Sequence, residues 1–318
     1  ALTSGDTSGE GGGESGDTDG DGGADTADTA ADTTPTNDAC EQSIAFEDAG
    51  TWRQEDLFGS EEIEGLPNEQ GPGVALGDLD GDGWLDAVLA VGAGGSIAFK
   101  NDGAGNLATT DAFTVNGGPM PFANAVAVGD LDGDTDLDLV LSRTTGNDDL
   151  VLFNKGDGTF ISRALADSRG ESVTPTLGDI DGDGDLDLFI GGFGSWLNPE
   201  LVKQGKQVGE GLKLYTWEGV DFVDATDRLP EDVLEALTYH GVFLDADMDG
   251  DQDLYLGNDY GRYVVDSDLL LNEGGEFVHT ECSCSLPTTI MGVGVGDPSG
   301  DGWPDLFITD WDRLFLMQ

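Results

Sequence analysis

From about residue 73 the chain alternates short apolar runs with stretches dense in Asp and Gly. Runs at 73–76, 125–128, 174–177, 241–244 and 292–295 each lead into an acidic stretch, and runs at 87–90, 139–141, 188–190, 254–256 and 306–308 leave it. A third run follows at 97–99, 150–153, 212–215, 269–271 and 314–316. A fourth begins at 107, 160, 222 and 277, set off by Gly-rich turns such as Asn154-Lys155-Gly156-Asp157-Gly158 and Asn272-Glu273-Gly274-Gly275. Runs of this length bounded by turn residues predict strands, and the turns predict hairpins. The runs after the acidic stretches are continuously apolar, as expected of strands covered on both faces.

The period is long. The first Asp of each acidic stretch stands at 78, 130, 179, 245 and 297, giving intervals of 52, 49, 66 and 52 residues. Four short strands per unit at this spacing describe propeller blades. The expected fold is therefore all-β, a propeller of five four-stranded blades, with six or seven as the alternative count. The fifth unit ends after its third strand, and Ile44-Ala45-Phe46-Glu47-Asp48 is similar to Phe222-Val223-Asp224-Ala225-Thr226. An N-terminal strand is thus expected to complete the last blade and close the ring, removing open sheet edges.

The acidic stretches carry the candidate chemistry. In the first, Asp78, Asp80, Asp82 and Asp86 lie within nine residues, with Trp84 at the seventh position. The later copies read Asp130, Asp132, Asp134, Asp136, Asp138; Asp179, Asp181, Asp183, Asp185, Asp187; Asp245, Asp247, Asp249, Asp251, Asp253; and Asp297, Ser299, Asp301, Trp303, Asp305. Carboxylates about 5 Å apart repel by roughly 3 kcal/mol at an effective dielectric near 20. Four in one loop cost on the order of 10 kcal/mol, against a domain stability of about 5–15 kcal/mol. A hard dication resolves the conflict, and an all-oxygen ligand set favours calcium. Positions 1, 3 and 5 are expected to turn inward, Gly at position 6 to allow the bend, position 7 to offer its backbone carbonyl and the Asp at position 9 to close the shell. The opening resembles the helix-loop-helix calcium motif, but Leu89 stands where that motif places Glu, and a strand follows. About five calcium sites, one per blade, are expected. The last is the weakest, because Ser299 replaces a carboxylate.

Charge narrows the partners. The 318 residues hold 65 Asp and Glu against 12 Lys and Arg, a formal charge of −53. This excludes nucleic acid and disfavours anionic membranes. No apolar run is long enough for a transmembrane helix. The expected partner is a protein or a glycan, met by a monomer.

Residues 1–39 contain no Lys or Arg and almost nothing apolar, and read as a disordered acidic tether ahead of the propeller at 40–318. Ala1 in place of an initiator Met suggests processing, and such a tether suits a surface protein held by an anchor elsewhere in its precursor, so an extracellular or cell-surface setting, with lipid as one form of anchor, is expected. Cys40, Cys282 and Cys284 match no zinc spacing, and Cys40 with Cys282 or Cys284 is the candidate disulfide. The long third interval holds an insertion at 194–211 and a helix-like run at 230–237.

The motif Gly-Asp-x-Asp-Gly-Asp-Gly-x-x-Asp followed by an apolar strand, as at 77–90 and 178–190, resembles the FG-GAP/VCBS repeat family, whose calcium-loop blades also occur in integrin α-chains. The literal Phe-Gly and Gly-Ala-Pro signatures are not clearly present, which places the likeness with the secreted bacterial VCBS type. The resemblance implies a β-propeller, calcium in each loop, an extracellular setting and adhesion or ligand binding. Trp196, Trp217, Tyr260 and Tyr263 are candidates for a sugar platform, with ordinary packing as the alternative. An enzyme is not expected: no nucleophile elbow, zinc motif or phosphate loop appears, and His240 and His279 read as core histidines. A propeller-borne lyase or hydrolase, or a lectin, is the alternative.

Overall fold

The computed structural model describes residues 73–318 except 92–94, 145, 195–197, 207, 210–211, 281–284, 288, 311–313 and 318. The tether, the proposed closing strand at 44–48, Trp196 and all three cysteines lie outside the described residues. The described residues fall within one compact unit, Ser60–Gln318.

Five antiparallel sheets follow one another in chain order, the arrangement of a five-blade β-propeller. Blade 1 is β1 (Gly73–Gly77), β2 (Asp86–Ala90), β3 (Ser96–Asn101) and β4 (Leu107–Thr109). Blade 2 is β6 (Ala125–Gly129), β7 (Asp138–Ser142), β8 (Leu150–Asn154) and β9 (Thr159–Ala164). An extra strand β5 (Thr114–Val115), absent from the sequence expectation, pairs parallel with β9. It approaches closely because Gly158 has no side chain: a Cβ there would lie 2.3 Å from the Phe113 ring, and its φ is +74°. Blade 3 is β10 (Ser172–Gly178), β11 (Asp187–Gly192), β12 (Lys213–Trp217) and β13 (Phe222–Asp224). Blade 4 is β14 (Thr238–Leu244), β15 (Asp253–Asn258), β16 (Asp268–Asn272) and β17 (Phe277–His279). Blade 5 is β18 (Ile290–Gly296), β19 (Asp305–Asp310) and β20 (Leu314–Met317). The first strands of successive blades, β1, β6, β10, β14 and β18, are neighbours.

The second strand of each blade explains the continuous apolar runs. Successive side chains on a strand point to opposite faces. In β7, Leu139 and Leu141 pack with Leu79 and Val88 of blade 1, while Val140 packs with Leu188 and Ile190 of blade 3. In β11, Phe189 turns the other way to meet Leu254 and Leu256 of blade 4. In β15, Tyr255 meets Ile290 and Ile308 of blade 5. Each such buried side chain is worth about 1.5–3 kcal/mol. The two flanking surfaces differ. Val74 and Leu76 on blade 1, and Phe307, Leu314 and Leu316 on blade 5, are exposed, Val74 by 61% and Leu314 by 66%.

Helix is scarce. Among the described residues, the insertion carries a four-residue helix, α1 (Pro199–Val202), capped by the Asn198 side chain. The helix-like run at 230–237 forms only a 3-10 turn at Glu231–Val233. Its apolar residues serve packing instead: Leu229 and Val233 enter the core between blades 3 and 4.

Candidate metal centres

Each acidic loop joins the first two strands of its blade, so all five loops lie at corresponding ends of the blades. The position 9 Asp is the anchor. Asp86, Asp138, Asp187, Asp253 and Asp305 open the second strands and are buried. One oxygen of each accepts a backbone N–H from the start of its loop, at 2.8–3.2 Å: position 2 in blades 1 to 4, from Leu79, Leu131, Ile180 and Ala246, and position 3 in blade 5, from Ser299, because Pro298 at position 2 has no N–H. In blades 1 to 4 the other oxygen accepts the N–H at the end of the third strand, from Asn101, Asn154, Trp217 and Asn272. Asp305 Oδ1 is buried with no such partner among the described residues.

Position 1 turns the loop on itself. Asp78 accepts the N–H groups of Asp82 and Gly83, Asp130 those of Gly133 and Thr135, Asp179 those of Gly182 and Gly184, and Asp297 those of Gly300, Asp301 and Gly302. Two positions, not one, are left-handed. Gly81 and Gly83 have φ of 73° and 89°, and the pattern recurs at positions 4 and 6 throughout. Thr135 and Met248 hold this geometry without glycine, at 80° and 63°.

The carboxylates brought together are those of positions 1, 3 and 9. Ligand oxygens within 4.8 Å of one another are offered by Asp78, Asp80 and Asp86; by Asp130, Asp132 and Asp138; by Asp179, Asp181 and Asp187; and by Asp245, Asp247 and Asp253. Position 5 stands outside these trios. Asp82, Asp134, Asp183, Asp249 and Asp301 each use one oxygen to accept the N–H of position 7, from Trp84, Asp136, Asp185, Asp251 and Trp303. In the fifth loop Asp297, Ser299 and Asp305 make no trio among the described residues, as the loss of one carboxylate implies.

Burial of like charges leaves its mark on protonation. Burial pushes Asp138 and Asp187 up to about 6 and raises Asp86 and Asp253 in the same direction, with neighbouring loop carboxylates adding to it. Burial also raises Asp132 and Asp181. Two oxygens on residues of the trios, Asp80 Oδ1 and Asp245 Oδ1, are buried and accept no hydrogen bond among the described residues. Such a cluster gains by taking up a cation, and the all-oxygen donor set fits a hard dication. In loop 1 a protein cation is already close: Lys100 Nζ pairs with Asp80 and lies 3.1 Å from Asp82 Oδ2. In loop 3 Arg228 Nη1 is 3.8 Å from Asp181 Oδ2.

Outside the loops, Trp217 is buried against Phe153 and Phe222 and is not part of a platform. Tyr260 is half-buried and Tyr263 exposed. His240 is half-buried, with Nε2 3.2 Å from the Met291 carbonyl, and burial lowers its pKa. His279 is not a core residue. It is exposed, with Nδ1 2.9 Å from Asp268 and Nε2 3.0 Å from Asp232. Sequence reasoning missed it because the alternation of β17 settles only that it shares a face with Phe277, not that the strand ends there.

Residues 78–141 and 130–190 match the profile of the FG-GAP-like repeat. No curated protein matches the chain. Among solved structures, it is similar to an Agrocybe aegerita lectin described as recognising non-reducing terminal N-acetylglucosamine, at 18% identity and TM-score 0.46 over 76% of this chain and 60% of that one. It is similar to the V. cholerae biofilm matrix protein Bap1 at 16% identity and TM-score 0.37, covering 75% of this chain and 34% of that one. It is also similar to the exotype rhamnogalacturonan lyase YesX, at 14% identity and TM-score 0.44 over 78% and 47%. The chain thus spans less than two thirds of each of these proteins. No helix among the described residues is long and apolar enough to cross a membrane.

Proposed function

From a chain that carries FG-GAP-like repeats, we propose an extracellular, non-catalytic binding module in which calcium ions stiffen the propeller and present its opposite end to a ligand. The observation that carries this reading is the fourfold recurrence of three converging carboxylates, two of the trios holding a buried, unpartnered oxygen. Asp78, Asp80 and Asp86 and their counterparts in blades 2 to 4 would hold the ions. Each ion would offset the mutual repulsion of its trio and fix the hairpin between the first two strands of its blade.

The role is structural because the loops sit at strand junctions and their carboxylates are tied into the backbone. At a free calcium level tenfold above the dissociation constant, each site would add about 1.4 kcal/mol, and four would add about 6 kcal/mol. A chelator titration followed by calorimetric melting tests this. A midpoint that falls by many degrees on calcium removal and recovers on its return supports the reading. An unmoved midpoint rejects it.

A further inference from the structure

At the end of blade 4 away from its acidic loop, a cleft of about 660 Å³ opens between the 3-10 turn at Glu231–Val233, the connection from β15 to β16 and the end of β17. One wall is a chain of three side chains, Asp268–His279–Asp232, with both imidazole nitrogens at hydrogen-bond distance from carboxylates. An ionised carboxylate only accepts, so satisfying both contacts needs a proton on each nitrogen. The two hydrogen bonds, Asp232 first, raise the His279 pKa. The wall is thereby held rigid, joining the segment before blade 4 to its outer strands, while Asp232 keeps oxygens open to the cleft. Its side chain is 72% exposed.

Two further lining residues set the chemistry. Arg262 is exposed and makes no ion pair among the described residues, although acidic groups outnumber basic ones 65 to 12 in the chain. Tyr263 beside it is 43% exposed. Glu235 adds another acceptor. The volume is that of a small-ligand site. An anion would meet four carboxylates, Asp232, Glu235, Asp266 and Asp268, and the field of the whole chain. A cation would satisfy the carboxylates but face Arg262 and a protonated His279. A neutral ring with many hydroxyls suits all of them: its O–H groups donate to the carboxylates, its oxygens accept from Arg262, and its C–H face lies on Tyr263.

We propose that this cleft, lined by Asp232, Glu235, Arg262, Tyr263, Asp268 and His279, is a binding site for a neutral saccharide. The proposal deepens the binding-module reading and rests on it for a folded, calcium-loaded propeller. The test uses the whole chain in calcium buffer. Saturation-transfer NMR against glucose, galactose, mannose, N-acetylglucosamine and their disaccharides, with glucuronic and galacturonic acids as charged comparisons, identifies the bound sugar, and calorimetric titration gives its affinity. Tyr263→Ala and Arg262→Ala alter exposed side chains, so their melting temperatures should match the parent. Each is expected to weaken the neutral sugar about tenfold, the effect of losing about 1.4 kcal/mol of contact. Failure of every neutral sugar to bind, undiminished affinity in both variants, or binding of the uronic acids alone would overturn the proposal. The calcium-dependent melt, run on the same samples, separates the two readings: a calcium-sensitive fold that ignores sugars sinks only this inference.

Discussion

The Asn272 side-chain amide donates to the backbone carbonyl of Ile180 at 2.7 Å, across ninety-two residues of chain and from blade 4 to the acidic loop of blade 3. The same amide group reaches Gln252 O at 3.1 Å in its own loop. Asn154 repeats the device one pair of blades earlier, bonding Leu79 O of blade 1 and Leu137 O of its own blade, both at 2.9 Å. Loops 1 and 3 are thus fastened to the next blade as well as to their own. Removing the amide leaves two carbonyls without partners, so Asn272→Ala should cost about 1–3 kcal/mol. Asn101, which bonds only Leu85 O of its own blade through Nδ2, is the comparison. Urea unfolding of the two variants should show the larger loss for Asn272→Ala.

Lys100 bears on loop 1 alone. Its ammonium sits on Asp80 and Asp82, where it competes with any other cation. Lys100→Met should strengthen calcium binding at loop 1 by up to roughly fivefold, the scale of an exposed ion pair. It should also lower stability when calcium is withheld. Calorimetric calcium titration of the variant beside the parent checks both, and an unchanged affinity profile would show that Lys100 does not compete.

Asp149 supplies a pH dependence away from the metal loops. It is buried, accepts hydrogen bonds from Ser172 Oγ at 2.7 Å and Arg143 N at 2.6 Å, and burial raises its pKa from 3.8 to about 7. Between about pH 4 and pH 7 the folded protein keeps a proton that the unfolded chain has released. This contribution therefore lowers stability as pH rises through that window, by at most about 1.4 kcal/mol per pH unit. In Asp149→Asn it disappears. The difference between the two stability curves, measured by urea titration across the window, should carry that slope.

Thr135 is a β-branched residue at φ 80°, in a place where each of the other four loops has glycine, at φ of 89° to 104°. Left-handed geometry costs an L-residue about 1–2 kcal/mol, and glycine loses about 0.5–1 kcal/mol in added chain entropy. Thr135→Gly should therefore stabilise the protein slightly, by about 0.5–1 kcal/mol. A lower melting temperature in the variant would contradict this.

Much of this architecture is legible in the chain. The acidic loops are written at fixed spacing, and the second strands read as unbroken apolar runs because blades cover them on both sides, as Val140 and Tyr255 show. The elements that escaped depend on partners far away in sequence. Asn154 and Asn272 read only as turn residues, since nothing local reveals that Leu79 O and Ile180 O await them. The spacing of Val233, Leu234 and Leu237 suggests a helix, but the core between blades 3 and 4 draws Val233 inward after a single turn. Position 5 of the loops looks equivalent to positions 1 and 3 in sequence, and only the fold shows that it holds the amide of position 7.

The exposure of Val74 on blade 1 and Leu314 on blade 5 bears on how the molecule comes apart. A propeller stores its stability in interfaces between neighbours, and Val140 or Phe189 is clasped from a side where Val74 and Leu314 meet water. Among the described residues, strands whose side chains are covered from both neighbouring blades should therefore open last. Amide protons on β7 and β11 should be the slowest to exchange with solvent, and those on β1 and β20 the quickest among the strands.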